Sequence, residues 1–365
     1  MKVLIQFEKK PLLFQNPKFI ISCSDPSSFI ACFKDIENAL RQGYYLAGFL
    51  SYEAGYYFEE KLREGKTYDF PLIYLGAYEA PVKCSISPKT KPSQSILKDL
   101  SLNITRDKYF LNIQTIRDYI AQGEVYQITY CIKLLFKFHG NPFSLYNLLL
   151  KEQPVPYPAY IETDRFHILS CSPEMFIKKE SMHTVTKPMK GTWRRGDNMI
   201  SDFAARLRFQ YDYKNRAENV MIADLLRNDL GRIGSDIKAP KLFEVAKYKT
   251  LFQMTSTVTG KLEKDIPIYE LFASLFPSGS VTGAPKIRAM QIIKELEAEE
   301  RRIYTGAIGY IAPGRDLFFN IPIRTLLIRE GTGEMGIGGG IVWDSTPEGE
   351  WDEGMLKAKF LTDRR

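Results

Sequence analysis

Residues 125–138 read Val-Tyr-Gln-Ile-Thr-Tyr-Cys-Ile-Lys-Leu-Leu-Phe-Lys-Phe, a run rich in β-branched, aromatic and aliphatic side chains with no glycine or proline. Such a run reads as a long strand, and a strand satisfies its backbone polar groups only by pairing within a sheet. Further strand-like runs lie at 157–162, 166–172, 304–311, 317–328 and 336–342. Helical patterns fall at 214–230, 285–299 and 348–361, and no internal repeat is present. Another helix is capped by Thr105, carries Phe110, Ile113, Tyr119 and Ile120 at roughly helical spacing, and stops at Gly123. Strands first, then helices and strands mixed, imply an α+β fold of packed sheets with outer helices rather than a regular βαβ alternation. Residues 46–60 are apolar and aromatic enough for a core, whereas 81–95, with three prolines, four serines and three lysines, read as a linker or surface loop.

Charge and composition exclude several function classes. The net charge over 365 residues is +7, and the densest basic runs are the pairs Arg194-Arg195, Arg301-Arg302 and Arg364-Arg365. That is too scattered for the footprint of a nucleic-acid binder and suits a small anionic substrate. Cysteines stand singly at Cys23, Cys32, Cys84, Cys131 and Cys171, with histidines only at His139, His167 and His183. No zinc-binding spacing can be assembled from them. The first thirteen residues lack the apolar core of a signal peptide, and no apolar run is long enough to span a membrane. A reduced, cytoplasmic setting without membrane or nucleic-acid partners is the expectation.

Four segments carry chemistry, and each has a plain structural alternative. In 188–192 (PMKGT), Lys190 precedes Gly191, which lets another group approach the backbone; a lysine here is otherwise a solvated surface residue. Residues 279–286 (GSVTGAPK) run from a small-residue turn into a helix with Pro285 in its first turn, an arrangement that offers backbone N–H groups to a carboxylate or phosphate, or else a simple capping turn. It is not a phosphate-binding Walker loop, because Ala284 follows Gly283 where that motif has lysine. Glycines 338–340 precede Glu350, Glu353 and Lys357, whose spacing puts them on one helix face. Two carboxylates without histidine or thiolate suit a hard cation such as Mg²⁺, the alternative being a solvated Glu-Lys pair. Last, 218–229 (ENVMIADLLRND) places Glu218 on a largely apolar helix, where it needs a cation; an ion pair of Asp224 with Arg227, or one through Asp229, is the bland reading.

Together these segments resemble the chorismate-utilising enzymes: the anthranilate and aminodeoxychorismate synthase components I and the isochorismate and salicylate synthases. The resemblance runs through GEVYQI (123–128), SPE (172–174), PMKGT, ENVMIADLLRNDLGR (218–232), FPSGSVTGAPKIRAM (276–290), YTGAIGY (304–310), IRT (323–325) and GGGIVWDS with E-x-x-E-x-x-x-K. GFLSYEAGYYFEE (48–60) is similar to the N-terminal part of the aminodeoxychorismate branch. The resemblance implies two packed, mostly antiparallel β-sheets flanked by outer helices. It also implies that 1–95 completes the sheets of a catalytic region at 96–365, as one interleaved unit.

Within the family, Lys190, Ser280 and Asn215 are similar to the aminodeoxychorismate branch, and Gln127 stands where the water-using branches have lysine. The resemblance implies amination of chorismate at C4 by ammonia. Lys190 would attack C2, with Glu174 as the acid for the departing hydroxyl. Glu218 and Glu353 would hold Mg²⁺, with Glu350 acting through water. Tyr304, Arg324 and the backbone near Gly338 and Gly340 would bind the enolpyruvyl carboxylate, and Gly191, Thr192, Ser280 and Lys357 would complete the anion site. A free lysine is only about one part in a thousand neutral near pH 7.4, a deficit of about 4 kcal/mol, so the site must lower its pKa. Gln253 replaces the family's usual histidine and cannot shuttle a proton. None of the cysteines lies on a nucleophile elbow, so ammonia is expected free or from a separate glutaminase subunit. An anthranilate synthase component and a non-enzymatic anion-binding module are the alternatives.

Overall fold

The computed structural model describes residues 1–83, 96–248 and 251–362. Two antiparallel sheets of ten strands each make the framework, with nine α-helices among the described residues. The fold is α+β, as the strand and helix patterning implies. One sheet is ordered Gly283–Ala284, Gln127–His139, Thr332–Ile341, Thr325–Arg329, His167–Ser172, Tyr157–Glu162, Lys2–Ile5, Leu12–Gln15 and Val82–Lys83, with Ile96–Leu102 also paired to Gln127–His139. The other is ordered Met189–Arg194, Leu251–Leu262, His183–Lys187, Met175–Glu180, Leu317–Asn320, Ala307–Ile311, Tyr45–Leu50, Ile73–Tyr78 and Phe19–Cys23, with Gly234–Lys247 paired to Leu251–Leu262. Residues 1–83 therefore supply strands to both sheets. Their inner faces meet in one aromatic cluster in which Phe14, Phe49 and Tyr78 from this region pack with Tyr157, Phe166 and Phe318. Of the linker read at 81–95, Val82–Lys83 forms a short edge strand and 84–95 lie outside the described residues.

Local chemistry fixes the element ends. The Thr105 side chain accepts from the Lys108 N–H to start Arg106–Ala121, and Gly123, at φ 75°, follows its end. Asp212 caps Tyr213–Gly231 through the Asn215 N–H, and Asn198 and Ser201 form a reciprocal capping box for Met199–Gln210. Three expectations change. The run 317–328 is two strands, Leu317–Asn320 and Thr325–Arg329, and they belong to different sheets. Pro322 has no N–H to give a ladder, and Arg324 takes φ 50°, so the chain crosses from one sheet to the other there. In 304–311 only Ala307–Ile311 is strand, because Thr305 at φ 60° turns the backbone first. Pro285 is the residue before the Lys286–Leu296 helix rather than part of its first turn. No helix among the described residues is long and apolar enough to cross a membrane.

One buried ion pair ties three segments together. Arg301 and Glu297 are almost fully buried, and the guanidinium meets the carboxylate in a two-pronged contact, Nε to Oε2 at 2.8 Å and Nη2 to Oε1 at 2.6 Å. The remaining N–H groups of Arg301 donate to Thr129 O on the Gln127–His139 strand, to Val281 O beside Ser280, and to Thr305 Oγ1 beside Tyr304. Glu297 also accepts the Cys131 N–H, and the Tyr52 ring covers the guanidinium at 4.3 Å. Removing one partner strands the other charge without solvent. Arg301→Met should therefore cost roughly 3–5 kcal/mol, and Arg301→Met with Glu297→Met considerably less. Urea denaturation of both variants checks this, and a single-variant cost below about 1 kcal/mol, the range of an exposed pair, contradicts it.

Candidate active site

The glycine-rich strand Thr332–Ile341 organises the site. It pairs with Gln127–His139 so that Gly340, Gly338 and Gly336 stand opposite Thr129, Cys131 and Lys133, and opposed residues in an antiparallel ladder share a face. On that face, a Cβ at Gly340 would lie 2.2 Å from Gln127 Nε2 and 2.8 Å from Lys190 Nζ, and a Cβ at Gly336 would enter the Tyr304 ring. The intervening residue points the other way: a Cβ at Gly339 would lie 2.8 Å from Glu350 Oε2, with Lys357 Nζ and Glu353 Oε1 just under 4 Å away. The strand thus separates Lys190, Gln127 and Tyr304 from Glu350, Glu353 and Lys357. A side chain at 336, 339 or 340 would fill the space that keeps these groups near one another.

Lys190 sits on Met189–Arg194, where a bulge between Lys190 and Thr192 re-aims the side chain and Thr192 pairs with Gln253. Gly191 takes φ 82°, and any Cβ there would strike Asn215 Oδ1 at 2.3 Å, so the first turn of Tyr213–Gly231 lies directly over it. That packing carries Glu218 to the same region. The Lys190 ammonium makes no ion pair or hydrogen bond among the described residues. Burial lowers its pKa, and Lys357 lowers it further, against the opposing pull of Glu218, Glu174 and Glu353. The direction is the one a neutral amine nucleophile needs.

Glu174 is buried near Lys190. Its Oε1 accepts from Ser280 Oγ at 2.7 Å and from the Met189 N–H at 3.3 Å, and burial pushes its pKa up to about 7 despite these bonds and the nearby Lys190. A carboxylic acid that keeps its proton near neutral pH can donate it. The Glu174 N–H donates to Ser172 Oγ and the Glu174 carbonyl accepts from the Ile321 N–H, which fixes the turn that carries Glu174.

Glu218 and Glu350 come from two helices, and burial raises both carboxyls. Glu353, which lines the open side, is instead held below the usual carboxylate range by the Lys357 ammonium 2.8 Å away. Lys357 also donates to Gly338 O at 2.6 Å, and Glu350 accepts from Ser345 at 2.6 Å. Among the described residues no three acidic, histidine or cysteine side chains close into a metal cage. The donor set nonetheless fits a hard divalent cation. Every donor is carboxylate oxygen, Glu218 has no bonded cation among the described residues, and Mg²⁺ characteristically takes one or two protein carboxylates and keeps waters.

Arg324 lies at the crossing between the sheets, largely buried, over the Tyr248 ring at 6.0 Å and with no carboxylate partner among the described residues. Burial lowers its pKa, which Tyr248, Cys171 and Tyr304 partly offset. A desolvated guanidinium without an anion is a carboxylate site in waiting. The Tyr304 hydroxyl, read from sequence as a ligand for that carboxylate, lies near the Cys131 thiol. Two buried amides keep unpaired atoms: both polar atoms of Gln127, and Gln253 Oε1. Sequence reasoning overlooked Arg301, Glu297, Cys131 and Tyr248. Only the i, i+4 spacing of Glu297 and Arg301 gave a signal.

A family model described as chorismate binding enzyme matches residues 6–363. Aminodeoxychorismate synthase component 1 of Bacillus subtilis is 37% identical over 302 residues, 82% of this chain and 63% of that protein. Anthranilate synthase component 1 of Aquifex aeolicus is 36% identical over 266 residues, 72% of this chain and 54% of that protein. The chain thus spans less than two thirds of the length of these relatives. The solved anthranilate synthase component I of Streptococcus pneumoniae superposes with a TM-score of 0.83 at 25% identity, covering 98% of this chain and 92% of that one.

The raised carboxyl of Glu174 has a sign that can be measured. Its pKa rises from 4.5 unfolded to about 7 folded, so the unfolded state releases its proton first and stability is lost as pH climbs through that window. Below it both states are protonated and nothing is lost. Glu174→Gln keeps the shape without the titration. Relative to the parent it should therefore gain up to about 3 kcal/mol between pH 4 and pH 8. Denaturant unfolding at the two pH values reads the difference, and a pH-independent gap contradicts a buried, proton-holding Glu174.

Proposed function

The chain belongs to the chorismate binding enzyme family, and on that premise we propose that it replaces the C4 hydroxyl of chorismate by an amino group, giving 4-amino-4-deoxychorismate. The observation that carries this reading is Lys190: an amine without a bonded partner among the described residues, its pKa lowered, near the buried acid Glu174 and the carboxylate Glu218. A surface lysine would be solvated and fully charged.

Chorismate is a dianion, so each carboxylate needs a cation. Arg324 takes the enolpyruvyl carboxylate through its planar fork, and Lys357 with the backbone near Gly338 and Gly340 adds positive potential. Glu218 and Glu353 would hold Mg²⁺, with Glu350 through a water. When bound, the ion neutralises the ring carboxylate. Lys190 Nζ forms a bond to C2 as the C4–O bond breaks, the ring double bonds shifting between them. Glu174 gives its proton to the departing hydroxyl, which leaves as water. Ammonia then bonds C4 while the C2–Nζ bond breaks, the electron pair returns to Lys190, and the enolpyruvyl group stays in place. Gln253 offers no proton shuttle, which favours a product that keeps that group. Ammonia comes free or from a separate glutaminase subunit, because the five cysteines lack a glutaminase elbow.

Anthranilate synthase component I is the second reading, since relatives of that name match at nearly the same identity. It predicts pyruvate release and an aromatic amine. Incubation with chorismate, Mg²⁺ and an ammonium salt, followed by mass analysis, separates the two. The expected product retains the enolpyruvyl group, and Lys190→Ala should abolish its formation. Pyruvate with anthranilate, or full activity in Lys190→Ala, overturns the proposal.

A further inference from the structure

Three buried hydroxyls, those of Ser278, Ser280 and Thr282, crowd one loop between the helices Ile268–Leu275 and Lys286–Leu296. Ser280 Oγ donates to Glu174 Oε1 at 2.7 Å, and Ser278 Oγ stands 3.0 Å from Ser280 Oγ. A hydroxyl has one hydrogen to give. Ser280 spends its hydrogen on the carboxyl, so the contact between the two serines runs from Ser278 to Ser280. Ser278 Oγ also accepts the Ser280 N–H at 3.4 Å, which holds it there. Thr282 Oγ1 donates instead to the Ser278 carbonyl at 2.9 Å and stands outside this chain of hydroxyls.

The two oxygens of Glu174 therefore differ. Oε1 receives both the Ser280 hydroxyl and the Met189 N–H, and a backbone N–H cannot turn to accept. A proton on Oε1 would face two donors. Oε2 accepts no hydrogen bond among the described residues, which leaves it as the oxygen that carries the proton. Linked hydroxyls polarise one another, each bond in a chain gaining about 10–30% in strength, so Ser278 makes Ser280 the better donor. Lys190 and Tyr248 are the titratable groups that face Glu174. Neither belongs to the serine loop, so changes there leave both in place.

We propose that Ser278 is a positioning residue: acting through Ser280, it occupies Oε1 of Glu174 and so keeps the acid's proton on Oε2, from which the departing hydroxyl takes it. This rests on the amination reading above, in which Glu174 is the acid. The same chain steadies the carboxylate left once the proton is given. Breaking it raises the Glu174 pKa, because the charged form loses support that the neutral form does not use.

The test titrates Glu174 in the full chain by infrared difference spectroscopy, its protonated-carboxyl band being assigned by the loss of that band in Glu174→Gln. Ser278→Ala should move the midpoint up by about 0.2–0.6 pH unit, and Ser280→Ala by about one to two. Thr282→Val takes a hydroxyl from the same loop but not from the chain, and should leave the midpoint unchanged. At saturating ammonium, the high-pH limb of kcat should follow the titration in Ser278→Ala, while KM for chorismate stays that of the parent. If Ser278→Ala does not fold, Ser278→Cys, close in size and a weaker donor, is read in its place. No upward shift in the Ser278 variant, an equal shift in Thr282→Val, or a kcat limb that does not follow the titration overturns the proposal. So does a parent whose Glu174 shows no protonated band near neutral pH. A parent that shows the band and its shift on substitution, yet does not aminate chorismate, overturns the amination reading and not the serine chain.

Discussion

The buried contact between Arg301 and Glu297 is the constraint on which the site depends. A guanidinium taken out of water must spend every N–H on a fixed acceptor, and here those acceptors are the glutamate, a strand carbonyl at Thr129, a loop carbonyl at Val281 and the hydroxyl of Thr305. Three of these acceptors neighbour groups of the site: Gln127 and Cys131 on the strand, Ser280 in the loop, Tyr304 in the turn. The planar fork sets their spacing, which a flexible lysine at the same position would not. An ion pair of this kind is a weak source of stability when balanced and a strong penalty when broken. Its value lies in holding three distant segments in one arrangement.

The glycine strand complements that clamp. Because 336 and 338–340 carry no side chains, the backbone alone separates the Lys190 side from the Glu353 side, and charges on the two sides act on each other. Lys190 and Arg324 are basic groups with little water and no carboxylate bonded to them, while Glu218 and Glu350 are carboxyls that burial pushes toward neutrality. Such a site is electrostatically incomplete by itself. A dianion together with a divalent cation would complete it, since each unpaired group would then gain its counter-charge.

Much of the framework is legible in the sequence because it rests on local rules. The helix read at 214–230 is Tyr213–Gly231, the strand read at 157–162 has those bounds, and Thr105 caps the helix that it heads. The single strand read at 317–328 fails where Pro322 and the left-handed Arg324 break it, and the break is what sends the chain from one sheet to the other. Of the site, the residues of the named motifs are legible, but not their sides. Which of them face Lys190 depends on the register of the glycine strand, and glycines offer no hydrophobic alternation from which to read it. Arg301 was hidden for another reason: its partners Thr129 and Val281 contribute backbone carbonyls, which every residue has.

At the centre of this account stands the amine of Lys190 as a nucleophile toward the chorismate ring. Incubating the protein with chorismate and Mg²⁺ without ammonia, then measuring its intact mass and mapping peptides, tests that most directly. The account predicts a ring adduct on the peptide that contains Lys190, discharged when ammonium is added. Protein that stays unmodified under these conditions, yet aminates chorismate at full rate once ammonium is supplied, would contradict it.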